Sequence, residues 1–376
     1  MPYKKSSLPP TDPLPVHAHM FIRMESGKYT AYVIDDTNRA FPISINLSPF
    51  DVKNLNSLLQ SAIQNVAGAI GKGAAYESAL QQLAMQGTFA FKSIFKSTSA
   101  QNDIRDVLGQ GTGRVIQIVS ENFFIPWELL YDGPLEAVTT IDGFWGARYI
   151  ISRAIMQDER PGAHVPPRLE TLRPKVGMVT SNTLSYVLEQ EIPSLERLHS
   201  RKKIELTQLR QLAKEKRNEE LEAFGRFLAQ EWHFLHFACH AYEQDPIEKS
   251  YLSITKDFSI SMIDFVVGGF NLSYHPFVIL NACQTGAMNP LYTSSWARKL
   301  WEHGARGVLA TDFKVRDDFA AAFSAALYSD LLKGVPIGKA LLNARWHFWE
   351  KERNPLGLAY ALYSPPSIKV VKPHTS

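Results

Sequence analysis

Two stretches of this sequence end on side chains that could react together. Trp232–His240 reads WHFLHFACH, and His275–Cys283 reads HPFVILNAC. Each is a short apolar run that stops on a nucleophile or a base. A cysteine thiolate is a strong nucleophile, and a neighbouring imidazole both lowers the thiol's pKa and shuttles its proton. If the two runs are neighbouring strands, about 4.8 Å apart, His240 and Cys283 meet at the rim of a sheet. They then form a Cys–His dyad suited to acyl transfer. Blander readings exist for both residues: a free cysteine is commonly an inert core residue, and a lone histidine beside an apolar run is commonly structural. A metal site built from His233, His236, Cys239 and His240 is a further alternative. It needs a helix, on which His233, His236 and His240 share one face. The run is short, aromatic and apolar, so it reads as a strand, which puts His236 and His240 about 13 Å apart and argues against zinc. Alternation turns Cys239 to the opposite face from His240, into the core.

The rest of the chain must supply the strands that hold this pair. Its 376 residues suffice for one large or two modest domains with a real core. Apolar content of 45%, charge of 20% and a net charge of +3 are ordinary for a globular protein and do not point to nucleic acid or an anionic membrane. No run of about 18 apolar residues offers a membrane span. The proline-rich start lacks the apolar segment of a secretory signal and reads as a disordered arm over 1–20. The two cysteines, Cys239 and Cys283, do not form a disulfide framework, which suits a reducing cytoplasm.

Residues 21–156 mix strands (TAYVID, GRVIQIV) with helical spacing (PFDVKNLNSLLQSAIQNVAGAI, YESALQQLAMQGTFAFKSIF). Residues 157–174 are rich in proline and charge and read as a linker. From 175 to 368 strands and helices alternate: KVGMVTS, KKIELTQL, WHFLHFAC, the shorter YLSITK, PFVILNA and ARGVLAT are strand candidates. EKRNEELEAFGRFLAQE, SSWARKLWEHG, DDFAAAFSAALYSDLLKG and PIGKALLNARWHFWEKE are helix candidates, and 369–376 is a tail. YVLEQEIPSLERL is helical, with Pro193 in its first turn or splitting it. Ser294 is the expected cap of the helix after Cys283, and Pro336 the first residue of the last helix. Such alternation predicts an α/β fold with a mostly parallel sheet covered by helices on both faces. In open sheets of this kind ligands bind beyond the carboxyl ends of the strands. The basic clusters at Arg201 and Lys214 lie among glutamates and read as solvated surface. Trp346 and Trp349 read as packing residues, and GQGTGR precedes a strand, so it reads as a turn and not as a phosphate loop.

HFLHFACHA followed by FVILNACQTG resembles the caspase-like peptidases, the clan that includes separase, gingipains and legumain. More specifically the chain resembles a CHAT domain: IPWELLYDG, GFWGARYIISRAI, GVLATDFKVRDDFAAAFSAALYSDLLKG and PIGKALLNARWHF match its signature stretches in order. The resemblance covers roughly Phe21 to Tyr363. It implies a caspase-like catalytic half over 175–368 with a degenerate N-terminal half over 21–156 packed beside it, where Trp127 and Glu128 are interior. It makes His240 the base and Cys283 the nucleophile, and the backbone N–H groups of Ala241 and Cys283 the oxyanion hole. Ala241 departs from the glycine usual there, and a positive φ at that position would strain an alanine. Relatives that cut after basic residues use an acid in the pocket, which makes Asp317, Asp318 and Asp312 the pocket candidates. The first two serve equally as charges on the start of a helix. No cofactor and no metal are implied.

The resemblance implies a cytoplasmic cysteine endopeptidase that cleaves a protein partner in bacterial signalling or defence. The chain shows no repeat array or nucleotide-binding module, so a separate activating partner or sensor protein is expected, with no direct contact to nucleic acid or membrane. Two alternatives stand beside this: a catalytically weak CHAT scaffold that binds partners, motivated by Ala241, and a Cys–His amidase acting on a small molecule.

Overall fold

The computed structural model describes residues 14–109, 111–136, 138, 140–155, 167–212, 216–283 and 290–373. Much of the expected arm, most of the linker, part of the basic cluster at Lys214 and the end of the tail lie outside the described residues.

The elements follow the hydrophobic patterning closely. The chain opens with β1 (Val16–Glu25), β2 (Lys28–Asp35) and β3 (Ala40–Ile45), an antiparallel meander. Strand β1 thus begins inside the segment expected as an extended arm. Three helices follow, α1 (Pro49–Ala69), α2 (Ala74–Ile94) and α3 (Thr98–Leu108), and then β4 (Arg114–Ser120), a short α4 (Trp145–Arg148) and β5 (Tyr149–Ile155). Helix α1 starts at a capping box: the Ser48 hydroxyl accepts from Asp51 N–H, and the Asp51 carboxylate accepts from Ser48 N–H, which satisfies two backbone donors reciprocally.

Next come β6 (Arg168–Glu170), β7 (Lys175–Thr180), α5 (Ile192–Ser200), β8 (Glu205–Gln208), α6 (Arg217–Leu228) and β9 (Phe234–Tyr242). The helix expected around Pro193 is divided. A π-helical turn spans Val187–Glu191, and α5 begins at Ile192 with proline in its first turn. The winding is continuous across the two, so the missing N–H of Pro193 interrupts the ladder to the preceding turn, and the wider π-helical turn lies where that ladder is broken. The chain continues through β10 (Tyr251–Ser253), β11 (Ser259–Ser261), α7 (Met262–Val267), β12 (Phe277–Cys283), α8 (Pro290–Glu302), β13 (Gly307–Thr311), α9 (Asp317–Leu331), α10 (Ile337–Glu352), β14 (Tyr360–Tyr363) and β15 (Lys369–Val371). Helix α8 starts at Pro290, before the expected cap at Ser294; Ser294 and Ser295 instead donate back to Leu291 C=O within the helix. Pro336 is the cap of α10, one residue before its first turn.

One mixed sheet unites nearly all strands in the order β11-β10-β9-β12-β13-β14-β5-β4-β1-β2-β3, with β7 against β9 and β8 against β7. Its centre is mostly parallel. The parallel pair β14–β5, in register at Leu362 and Ser152, joins the N-terminal strands to those that follow in one sheet. Strand β15 pairs with β6 in a second, two-stranded sheet. Helices cover both faces, as expected. On one face α1, α2, α5, α9 and α10 enclose the larger core; on the other α6, α7 and α8 enclose a core containing Phe224, Phe265, Trp296 and Cys239. Trp346 and Trp349 are packing residues, the former donating to Ala147 C=O at 2.8 Å.

Candidate active site

Strand β9 is buried along its length until it reaches His240, which is half-buried. It does not stop there: His240 lies within the strand, which runs on to Tyr242. Its edge partner changes at this point. Below His240, β7 pairs in parallel with Phe234–Ala238; from His240 onward, β10 pairs antiparallel, matching Ser253 to His240, Leu252 to Ala241 and Tyr251 to Tyr242. The Tyr242 ring stacks on Tyr251 at 4.9 Å and lies 6.2 Å from the His240 ring.

The other side of β9 carries β12 in unbroken parallel register from Phe277 opposite Phe234 to Cys283 opposite His240. The two residues selected by chemistry are therefore direct partners across the pair, and Cys283, described here by its backbone, ends its strand. Across β8-β7-β9-β12-β13 the chain leaves β7 toward β8 on one side and returns to β9 on the other. Such a reversal opens a crevice at the carboxyl ends of the strands, and His240 and Cys283 sit at that end. Cys239 belongs to the opposite core and is fully buried, and burial pushes its thiol well above the ordinary value. Ala241 is buried inside the β9–β10 pairing and has no positive φ, so an alanine fits that backbone without strain. His233 precedes the strand and His236 is engaged elsewhere; among the described residues no cluster could hold a metal ion.

Directly behind the pair lies a polar network that the sequence reading did not anticipate. Glu191, 1% exposed, closes the π-helical turn. Its Oε1 accepts from Asn281 Nδ2 at 2.7 Å, His236 Nε2 at 2.8 Å and Ser324 Oγ at 2.9 Å. Asn281 Oδ1 accepts from the Tyr360 hydroxyl at 2.8 Å, and His236 Nδ1 faces the Tyr328 hydroxyl at 3.3 Å. Burial works to raise the Glu191 pKa, but the charge and hydrogen bond of His236, with Asn281 and Ser324, outweigh it and hold the carboxyl below its usual value. Polar side chains inside apolar runs, Asn281 in FVILNAC and His236 in WHFLHFAC, were the sequence signals for this network. Glu191 gave none, because an acid beside a helix start reads as surface.

The three pocket candidates separate. Asp312 follows β13 but is 1% exposed; its N–H donates to Ala359 C=O at 2.7 Å and its Oδ2 meets Arg153 Nη1 at 2.8 Å. Arg153 also pairs with Glu128, which Arg345 approaches at 3.7 Å. Burial pushes the Asp312 carboxyl up to about 6 in spite of the adjacent guanidinium. Asp318, in the first turn of α9, is held by Arg316 at 2.6 Å, which lowers its pKa, and accepts from Phe319 N–H. Asp317, the first residue of α9, is half-buried. Trp127 and Glu128 are interior.

Two grooves share part of their lining. One, of about 480 Å³, is lined by residues including Asn56, Asn122, Phe124, Glu243 and Leu291. The other, of about 540 Å³, shares Asn122, Phe124 and Leu291 with it and runs along α7 and α8 past Ile263, Val266 and Val267; Val267 is 81% exposed. Glu243, three residues past His240, is part of the first groove's lining.

A caspase-like scaffold is the class of protein that this sheet order and strand-end pair define. The CHAT domain family model matches residues 110–367, and the chain belongs to that family. Among solved structures, two of the Saccharomyces cerevisiae separase–securin complex share the fold. The 3.0 Å structure has a TM-score of 0.53 at 10% identity, and the 2.6 Å structure 0.51 at 11%. Each alignment covers 94% of this chain but 30% of the other, so the chain spans under a third of the chains it matches. No curated protein matched. No helix among the described residues is long and apolar enough to cross a membrane.

Proposed function

We propose that the chain is a cysteine endopeptidase that cleaves a protein partner through a Cys283–His240 dyad, in bacterial signalling or defence in the cytoplasm, and is switched on by, or acts on, a separate protein. The observation that carries this reading is the backbone pairing of Cys283 with His240 at the carboxyl end of the sheet. His240 takes the thiol proton, and the thiolate attacks the scissile carbonyl carbon. The N–H groups of Ala241 and Cys283 receive the developing oxyanion. The tetrahedral intermediate collapses as the imidazolium protonates the leaving amine, and a thioester remains. Water, deprotonated by His240, hydrolyses the thioester and restores the thiol. The open grooves, one of them lined by Glu243 three residues past His240, suit an extended polypeptide better than an enclosed small molecule. Asp317 is the acid proposed to favour a basic residue before the cut, because Asp312 and Asp318 are already paired with arginines. The securin in the yeast complex supports a role for a protein partner here by analogy only.

A proteome-derived peptide library incubated with the wild type, Cys283→Ala and His240→Ala tests the reading. Cleavage confined to the wild type, with a basic preference that weakens in Asp317→Asn, is the expected result. Cleavage by all three proteins refutes the dyad. A second reading, a binding scaffold with weak catalysis, is favoured by the position of Ala241 inside a buried β-ladder. It predicts partner capture that survives both substitutions with no new peptide ends.

A further inference from the structure

The buried network behind the rim carries an inference that rests on the Cys283–His240 reading. His236 stands on the same strand as His240, and Asn281 on the same strand as Cys283. The register pairs Cys283 with His240, Asn281 with Ala238 and Ile279 with His236. With side chains alternating across a strand, His236, His240 and Asn281 belong to one face, and Cys283 stands two residues past Asn281 along β12. At about 3.3 Å per residue, the Asn281 backbone lies about 7 Å below that of Cys283. One oxygen, Glu191 Oε1, accepts hydrogen bonds from both strands and from α9. The orientation of the Asn281 amide is settled by its partners: the carboxylate can only accept, so Nδ2 faces it, and the Tyr360 hydroxyl donates to Oδ1. Asn281 Nδ2 lies a further 3.2 Å from Ala320 C=O of α9.

We propose that Glu191 is the positioning residue of the dyad, anchoring the strands that carry Cys283 and His240 to each other and to α9. The two reactive residues lie at strand ends, where pairing is otherwise free to fray, and acyl transfer needs thiol and imidazole held within a fraction of an ångström. Glutamine in place of Glu191 keeps the volume and an amide oxygen that can stand where Oε1 stands, but it removes the negative charge, so three charge-assisted bonds become neutral ones of roughly half the strength. The groups facing Glu191 from the packed elements are His236 of β9, Asn281 of β12, Ser324 and Tyr328 of α9, and Tyr360 of β14; Cys239, on the far side of β9, also feels its charge.

Iodoacetamide alkylation of the two cysteines, read by peptide mass on the full chain from pH 6.5 to about 9.5, tests this without a known substrate. Glu191→Gln is expected to slow Cys283 alkylation at neutral pH by at least about tenfold, and Ser324→Ala by about two- to fivefold. The curves should converge with wild type at high pH, where the thiolate forms without help from imidazole. Cys239 must stay protected throughout, which shows that β9 is intact. An unchanged Cys283 profile in Glu191→Gln, in a protein whose profile does respond to His240→Ala, overturns the positioning role alone. Joint exposure of Cys239 and Cys283 overturns it too, because Glu191 would then serve only the fold. A profile indifferent to His240→Ala refutes the dyad itself. Should Glu191→Gln not fold, Ser324→Ala carries the same comparison.

Discussion

Arg153→Met is the sharpest test of the buried charges between β5 and β13. Arg153 is 6% exposed and holds Asp312 at 2.8 Å as well as Glu128. At that distance and an effective dielectric near 20 the Asp312 attraction is about 6 kcal/mol before desolvation is counted. Removing one partner of a buried pair typically costs about 3–5 kcal/mol, because the remaining charges stay desolvated. Asp312 has an escape. Its carboxyl is already raised to about 6, so keeping its proton at pH 7 costs only about 1.4 kcal/mol. Wild-type Asp312 gives up its proton near pH 6 while the variant retains it. The folded variant then binds one more proton than folded wild type, and both unfolded chains are ionised there. The stability deficit should therefore widen by about 1.4 kcal/mol per pH unit above about 6 and be flat below it. Urea unfolding followed by tryptophan fluorescence at pH 5.5, 7 and 8 reads this directly. A deficit under about 1 kcal/mol at pH 7, or one of the same size at all three pH values, refutes the reasoning.

Three further outcomes follow from the packing. A methyl group at Gly146 would lie 2.6 Å from Glu128 Cβ and 2.9 Å from Leu358 Cδ2, so Gly146→Ala should destabilise by about 1–3 kcal/mol in the same unfolding assay. Trp145 packs against Phe91, Phe95, Trp127 and Tyr149, and Trp145→Ala should cost about 3–5 kcal/mol. Trp145→Phe should cost much less, because the indole N–H has no hydrogen-bond partner among the described residues and thermal midpoints should rank the two accordingly. Burial works to raise the Asp35 pKa, but bonds from Thr37 and Arg39 outweigh it and hold the carboxyl at about 2. A depressed carboxylate stabilises above its unfolded value and loses that effect as pH falls through the folded one, so Asp35→Asn should be less stable than wild type at pH 7 and converge with it toward pH 2.

The strands and helices were legible because each carries its own period. WHFLHFAC is short, aromatic and largely apolar on both faces, as a strand buried on both sides is, while DDFAAAFSAALYSDLLKG begins with acids and ends at Gly334, as a helix does. His240 and Cys283 were legible for the same reason: reactive side chains at the ends of apolar runs stand out. Partners brought together by tertiary contact were hidden. Asp312 looked like a rim acid because it follows a strand, and only the joining of β14 to β5 shows that Arg153 lies within reach. Glu191 looked like helix surface because a π-helical turn and an α-helical turn have almost the same local pattern, yet the turn directs this carboxylate inward. The strand β10 was legible in YLSITK, but its pairing with β9 beyond His240 was not, since so short a strand does not show which edge it joins.

Both buried networks end on β14, on opposite faces. Tyr360 donates to Asn281 in the core beneath the dyad, and the Tyr363 hydroxyl lies 3.1 Å from Arg153 Nη1 on the far side. A slip of one residue turns every side chain of a strand to the other face. For β14 that slip would leave Asn281 and Arg153 without their tyrosines and bury two phenol hydroxyls among apolar side chains, each a cost of about 1–3 kcal/mol. A four-residue strand has too few apolar positions to fix its own register. The two tyrosines fix it, and with it the level at which the N-terminal strands join the strands that carry His240 and Cys283.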